Sequence, residues 1–151
     1  MKLAIVVLVI VGAASIAGGQ GDQSEAFYAA VRANDLARLT TLASGAGVNA
    51  RDSRGLTPLM YAAVTGSVEA MQLLLDKGAD ANAKNNSDST ALMWSVTDIR
   101  KVRLLLDRNA DVNAVSKLGR TALFLAAMSD RSADIVRLLI ARGGNVKAST
   151  A

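Results

Sequence analysis

The chain has 151 residues, of which 51% are hydrophobic and 3% aromatic, with a formal net charge of +4 and neither cysteine nor histidine. Those absences exclude disulfides, thiolate or imidazole catalysis and the usual zinc ligand sets. Phe27, Tyr28, Tyr61, Trp94 and Phe124 are the only aromatics, and the basic residues alternate with aspartate, so the positive balance does not indicate a nucleic-acid partner.

The first predicted element is a secretory signal peptide over residues 1–17. Lys2 supplies a positive charge, Leu3 to Val11 is an unbroken apolar run, and Gly12 to Gly19 holds mainly small residues, which is the layout such a segment requires. Cleavage is expected after Ala17, with Ser15 at the minus-three position, or after Ala14. A bilayer crossing needs about 20 apolar residues, more than Leu3 to Ala17 provides; an uncleaved membrane tether is the alternative. No cysteine stands at the cut to carry a lipid. The expected location is periplasmic or secreted, with no membrane contact after cleavage. A cysteine-free exported domain of this size is ordinary in bacteria and unusual among small extracellular animal domains, so a bacterial source is expected.

After a linker over 18–24, a phrase begins to recur. Gly78-Ala79-Asp80-Ala81-Asn82-Ala83 returns as Asn109-Ala110-Asp111-Val112-Asn113-Ala114. Divergent copies stand at Gly45 to Ala50 and Gly143 to Ala148. The copies start 33, 31 and 34 residues apart, the spacing of a stacked repeat array and not of a domain with one closed core. Four units are predicted, 25–51, 52–84, 85–115 and 116–148, followed by a tail over 149–151.

Within the second unit, Asp52-Ser53-Arg54-Gly55 reads as a turn with glycine where φ is positive. Thr57 caps a helix that Pro58 opens; Leu59, Ala62 and Ala63 form its apolar stripe, and Gly66 ends it. A second helix, Val68 to Lys77, places Val68, Met71, Leu74 and Leu75 inward, with Gly78 as its stop. An extended, hairpin-like stretch leads to the next turn. Isolated helices shorter than about 12 to 15 residues are marginal in water, so each unit must bury its apolar side on the next.

On these residues the chain resembles ankyrin repeat proteins. The second unit carries Gly55-Leu56-Thr57-Pro58-Leu59-Met60-Tyr61-Ala62-Ala63, Gly66, Leu73-Leu74-Leu75 and the recurring phrase. The third carries Thr90-Ala91-Leu92-Met93-Trp94 and Leu104-Leu105-Leu106, and the fourth Gly119 to Ala127 and Val136-Arg137-Leu138-Leu139. The first, Ala26 to Ala50, keeps only the later helices and the final phrase. The resemblance implies an all-α solenoid of stacked helix-turn-helix units with hairpin-like loops, preceded here by the signal-peptide helix. It also implies a non-catalytic scaffold, a monomer without cofactor, that binds another protein by its loop tips and the concave side of its first helices.

By the family's register the variable surface positions are Ser53, Arg54, Leu56, Val64, Thr65 and Lys84. In the next two units they are Asn86, Ser87, Ser89, Lys117, Leu118, Arg120, Met128 and Ser129. The sequence departs from the family at the histidine that follows Thr-Pro-Leu, where Met60, Met93 and Phe124 stand; apolar packing is expected to replace its turn-to-turn hydrogen bonds. The third unit is two residues short between Val96 and Val102 and has Asp88 where its neighbours have Gly55 and Gly119. A distorted first helix or turn is expected there, making it the weak joint. The fourth unit keeps Ile135, Leu138, Leu139 and Ile140 as an internal unit would. Its outer face is therefore tolerated, docked on a partner, or continued in a longer product, and the targeting or regulatory segment of a larger exported enzyme is the alternative function.

Asp80 and Asp111 are expected to bond loop amides, since the glycine and distal glutamate of a calcium loop are missing. No catalytic or metal-binding set is present. Asn85-Asn86-Ser87 fits the acceptor pattern for N-linked sugar at Asn85. Arg100, Lys101, Arg103 and Arg108, diluted by Asp98 and Asp107, read as a solvated helix face before an acid-binding patch. Trp94 is either an interface anchor or an inter-repeat packing residue.

Overall fold

The structure, a computed structural model, describes residues 20–129 and 132–147. The expected signal peptide, its cleavage site at Ala17 and the tail over 149–151 lie outside them. Eight α-helices and no strand occur among the described residues.

The first helix, α1 (Gln20–Arg32), begins inside the stretch read as a linker. It occupies the first-helix place of its unit, although the sequence there has no Thr-Pro start signal. Next come α2 (Leu36–Leu42), capped by the Asp35 carboxylate, and a short 3-10 turn, Gly45–Asn49. In the second unit α3 (Pro58–Thr65) starts where Thr57 Oγ1 accepts the Met60 N–H at 3.3 Å, with Pro58 at the first turn. The second helix α4 (Val68–Asp76) is capped by Ser67 and stops one residue before the predicted end, Lys77 being its C-cap. The third unit has α5 (Ala91–Trp94) and α6 (Ile99–Asp107), the fourth α7 (Ala122–Ala127) and α8 (Ala133–Ala141).

Helix α5 is half the length of α3, as the missing residues suggested. Its cap Thr90 makes no side-chain bond to the helix, whereas Thr57 and Thr121 both do. The buried Thr90 hydroxyl has no hydrogen-bond partner among the described residues.

Positive φ explains the recurring Gly or Asn that opens each phrase: φ is 86° at Gly45, 92° at Gly78, 61° at Asn109 and 90° at Gly143. The turn glycines obey the same rule, with Asp88 at φ 56° where Gly55 has 75° and Gly119 has 71°. Gly66 is different. Its backbone is extended, and the reason for glycine is space, because a Cβ there would sit 2.9 Å from Ala62 Cα and from Val31 Cγ1 of the preceding unit.

Successive units share their apolar sides. Leu74, Leu105 and Leu139 hold the same place in α4, α6 and α8 and are wholly buried. Inner helices pack on inner helices, α1 on α3, α3 on α5 and α5 on α7, and outer on outer, α2 on α4, α4 on α6 and α6 on α8.

The phrase also ties the units by hydrogen bonds. Asn49 Nδ2 donates to the Gly78 carbonyl at 3.0 Å while its Oδ1 accepts the Asp80 N–H at 2.8 Å. Asn82 repeats this with Asn109 and Asp111, and Asn113 with Gly143 and Asn145. Beside each of the three rungs an aspartate or asparagine braces the loop: Asp80, Asp111 and Asn145 accept the N–H two residues on, the role expected of the two aspartates. In the last copy Lys147 stands where the rung asparagines stand, and an ammonium cannot accept an N–H.

Candidate partner-binding surface

Each loop tip is built by its first residue. Asp52 Oδ1 accepts the N–H groups of Arg54 and Leu56 at 2.8 Å, Asn85 Oδ1 those of Ser87 and Ser89 at 2.9 Å, and Ser116 Oγ that of Arg120 at 3.3 Å. Asn85, the possible glycosylation site, is therefore half-buried with its carbonyl oxygen engaged.

The tips are also tied to one another. The Asn86 N–H donates to the Arg54 carbonyl and the Lys117 N–H to the Ser87 carbonyl, both at 3.0 Å, and Asn86 Nδ2 reaches the Ser53 carbonyl. Met60 and Met93 are buried as expected, but apolar packing is not the whole replacement for the missing histidines, because main-chain bonds and Asn86 connect the turns. Gly55 permits this approach, since a Cβ there would lie 2.6 Å from Asn86 Oδ1.

Along the inner helices one register position is occupied by Tyr28, Tyr61, Trp94 and Leu125. At the N-terminal end this column is closed by its own contacts. The Tyr28 and Tyr61 rings stack with centroids 4.1 Å apart, and Arg32 donates to the Tyr61 hydroxyl at 2.7 Å and to Glu25 at 2.8 Å. Tyr28 donates to the Leu56 carbonyl; burial, reinforced by the Asp52 carboxylate, pushes its phenol up to about 12. Burial works against ionisation of Asp52 too, but hydrogen bonds from the Leu56 N–H and from Arg54 outweigh it and hold the carboxyl below its usual value.

The C-terminal end of the column is open. Trp94 is 38% exposed, Leu118 67% and Met128 69%. Between the third and fourth units Trp94, Met93, Leu118 and Leu125 border a groove of about 270 Å³.

Of the surface positions expected from register, Ser53, Arg54, Val64, Thr65, Lys84, Asn86, Ser87, Lys117, Leu118, Arg120, Met128 and Ser129 are exposed, and Ser89 is half-exposed. Leu56 is the exception. It is 5% exposed within the core, under the preceding unit's Tyr28, and presents nothing to a partner. Arg54 is committed to Asp52 at 2.9 Å. Lys84, Lys117 and Arg120 have no ion pair among the described residues.

The basic cluster on α6 is neither a patch nor a uniformly solvated face. Arg100 pairs with Asp98 and Arg108 with Asp76, while Lys101 is buried and donates to the Ala63 carbonyl at 3.0 Å and the Ala62 carbonyl at 3.4 Å. The side chain thus satisfies the C-terminal end of α3 in the preceding unit. Ala70 and Ile135 hold the same place in α4 and α8, so the register marked this position as interior although its charge suggested otherwise. Desolvation lowers the Lys101 pKa from the usual 10.5.

Family comparison agrees with this geometry. The family model described as ankyrin repeats (3 copies) matches residues 26–116. The chain belongs to the ankyrin-repeat family. A second model, ankyrin repeats (many copies), matches residues 97–140, and no curated protein is a match for the chain. Ankyrin repeats are in general protein–protein interaction modules, and the family is typically non-catalytic. Among the described residues no group of three acidic side chains is placed to hold a metal ion, and no helix is long and apolar enough to cross a membrane.

Proposed function

We infer that this ankyrin-repeat chain is a non-catalytic binding scaffold, exported through its N-terminal segment, that holds a partner protein against the inner face and loop tips of its third and fourth units. The observation that carries this reading is the asymmetry of the inner face. Its tyrosine end is satisfied internally, whereas the exposed Trp94 and Leu118 border one groove with Arg120, which has no ion pair among the described residues. Exposed apolar groups rimmed by polar ones mark interaction sites. The tip that bears Lys117, Leu118 and Arg120 is pre-positioned by the Lys117 N–H bond to the Ser87 carbonyl of the preceding tip, so ordering it on binding costs little.

Reversing Lys84, Lys117 and Arg120 to glutamate together is expected to slow association with a partner purified from the exported fraction roughly ten-fold at low salt, with the difference fading at high salt. An unchanged association rate would remove these residues from the interface. Export is tested separately by the mass of the chain recovered from that fraction, which should begin at Gly18. A chain retaining Met1 would point to a tether instead.

A further inference from the structure

Two register positions distinguish the groove between the third and fourth units. Leu56 of the second unit, which is buried in the core under Tyr28 of the unit before it, corresponds to Ser89 in the third unit and to Arg120 in the fourth. Both of these line the groove, with Met93, Trp94, Leu118 and Leu125.

At about 270 Å³ the groove falls below the roughly 300–1,000 Å³ typical of small-molecule sites. Its size suits one side chain of a partner better than a free metabolite. A pocket that takes one buried anchor inside a polar rim is how protein interfaces concentrate their affinity.

The rim fixes the sign of the partner's charge. Arg120 lines the groove and Lys117 lies beside it on the same tip, both exposed and both without an ion pair among the described residues. On neighbouring turns and helix ends Asp52 neutralises Arg54, Asp98 neutralises Arg100, and Asp76 neutralises Arg108, whereas the groove's cations share their unpaired state with Lys84, Arg51 and Arg103 among the described residues. Among the described residues no carboxylate lines the groove, and the nearest in sequence, Asp88, sits half-buried at the preceding turn.

Building on the scaffold reading above, we propose that this groove receives a single apolar side chain from an acidic segment of the partner, with the flanking carboxylates held by Arg120 and Lys117. Arginine matches a carboxylate with two parallel N–H bonds, and Ser116 fixes the Arg120 backbone that presents it.

Trp94 is the sole tryptophan and forms a wall of the groove, so its emission reports occupancy without a label. Three capped hexapeptides serve as probes: Asp-Glu-Leu-Phe-Asp-Glu, its counterpart Lys-Lys-Leu-Phe-Lys-Lys, and Asp-Glu-Gly-Ser-Asp-Glu, which lacks the apolar pair. The first alone should shift Trp94 emission saturably, with affinity falling at least ten-fold in high salt. Ser89→Leu, which enlarges a side chain lining the groove, should weaken it at least ten-fold. Leu118→Ser lies on an exposed rim, leaves the fold intact and should weaken it similarly. Lys117→Glu with Arg120→Glu should transfer the preference to the lysine peptide.

Equal binding of the acidic and basic peptides, equal binding without the apolar pair, no binding of any peptide, or indifference to both Ser89→Leu and Leu118→Ser would each overturn the proposal. If it falls in any of these ways while charge reversal still slows capture of the protein partner, the broader surface reading survives. If charge reversal also has no effect, both fail.

Discussion

Single residues in this chain carry information that composition hides. Asp88 takes a left-handed turn position that glycine fills in the neighbouring units, and among the described residues its side chain makes no hydrogen bond or ion pair in return. Asp88→Gly is expected to stabilise the fold by about 0.5–1 kcal/mol, since a non-glycine residue in this region costs roughly that or more; the midpoint of urea unfolding measures it. Lys101 makes a prediction of opposite kind. Its folded pKa lies below the unfolded 10.5 because burial disfavours the ammonium, Asp98 opposing this shift and Arg100 adding to it. Its contribution is therefore most favourable above 10.5 and is lost as pH falls through the folded pKa. Tyr28 runs the other way: raised to about 12, it stabilises fully below its unfolded value near 10 and loses that contribution as pH rises to 12. Below pH 10, where Tyr28 has not begun to lose its contribution, stability from the lysine should rise with pH. Lys101→Met should flatten that rise in urea titrations across the alkaline range below pH 10, and an unchanged slope would show that Lys101 is not its origin.

At the scale of elements, the helices were legible wherever a local signal exists. Thr57-Pro58, Ser67 and Gly78 mark the ends of α3 and α4 within one residue because capping is a matter of nearest neighbours. The start of α1 was not legible, since nothing in Gln20 to Gln23 announces a cap. Lys101 and Leu56 were misplaced for a different reason: each is buried by a neighbouring unit, and contacts between units lie about 30 residues apart in sequence. Register places Lys101 inside, with Ala70 and Ile135, whereas its charge argues for the surface. The recurring asparagines were visible as a phrase, yet their function as rungs needs the next unit in place. Asn82→Ala deletes two hydrogen bonds between the second and third units, one to Asn109 and one from Asp111. Water can reach these groups, so the expected loss is about 1–2 kcal/mol. Asn82→Asp keeps the acceptor and loses the donor, and should cost less, provided the repulsion from Asp80 and Asp111 is screened by salt. Calorimetric or urea unfolding of the two variants distinguishes them.

The whole molecule was the easiest level to read, because periodicity survives errors in any one unit. What periodicity does not reveal is the difference between its two ends. Val146 is 67% exposed and Ile140 46%, while Ala81 and Leu75 in the same registers of the second unit are each 7% exposed. The fourth unit thus presents Ile140 and Val146 outward, whereas Ile135 and Leu139, read from sequence as part of an exposed outer face, are buried against the preceding unit. Each internal unit, by contrast, is fastened at two separate levels. The turn-to-turn bonds hold the tips, and the asparagine rungs, together with the Asp76–Arg108 and Asp107–Arg142 pairs, hold the helix bases. Two lines of fastening resist shear and torsion between neighbours in a way that one line cannot. Under tension applied to its ends, such a chain would surrender whole units in discrete steps, each step releasing both sets of fastenings together.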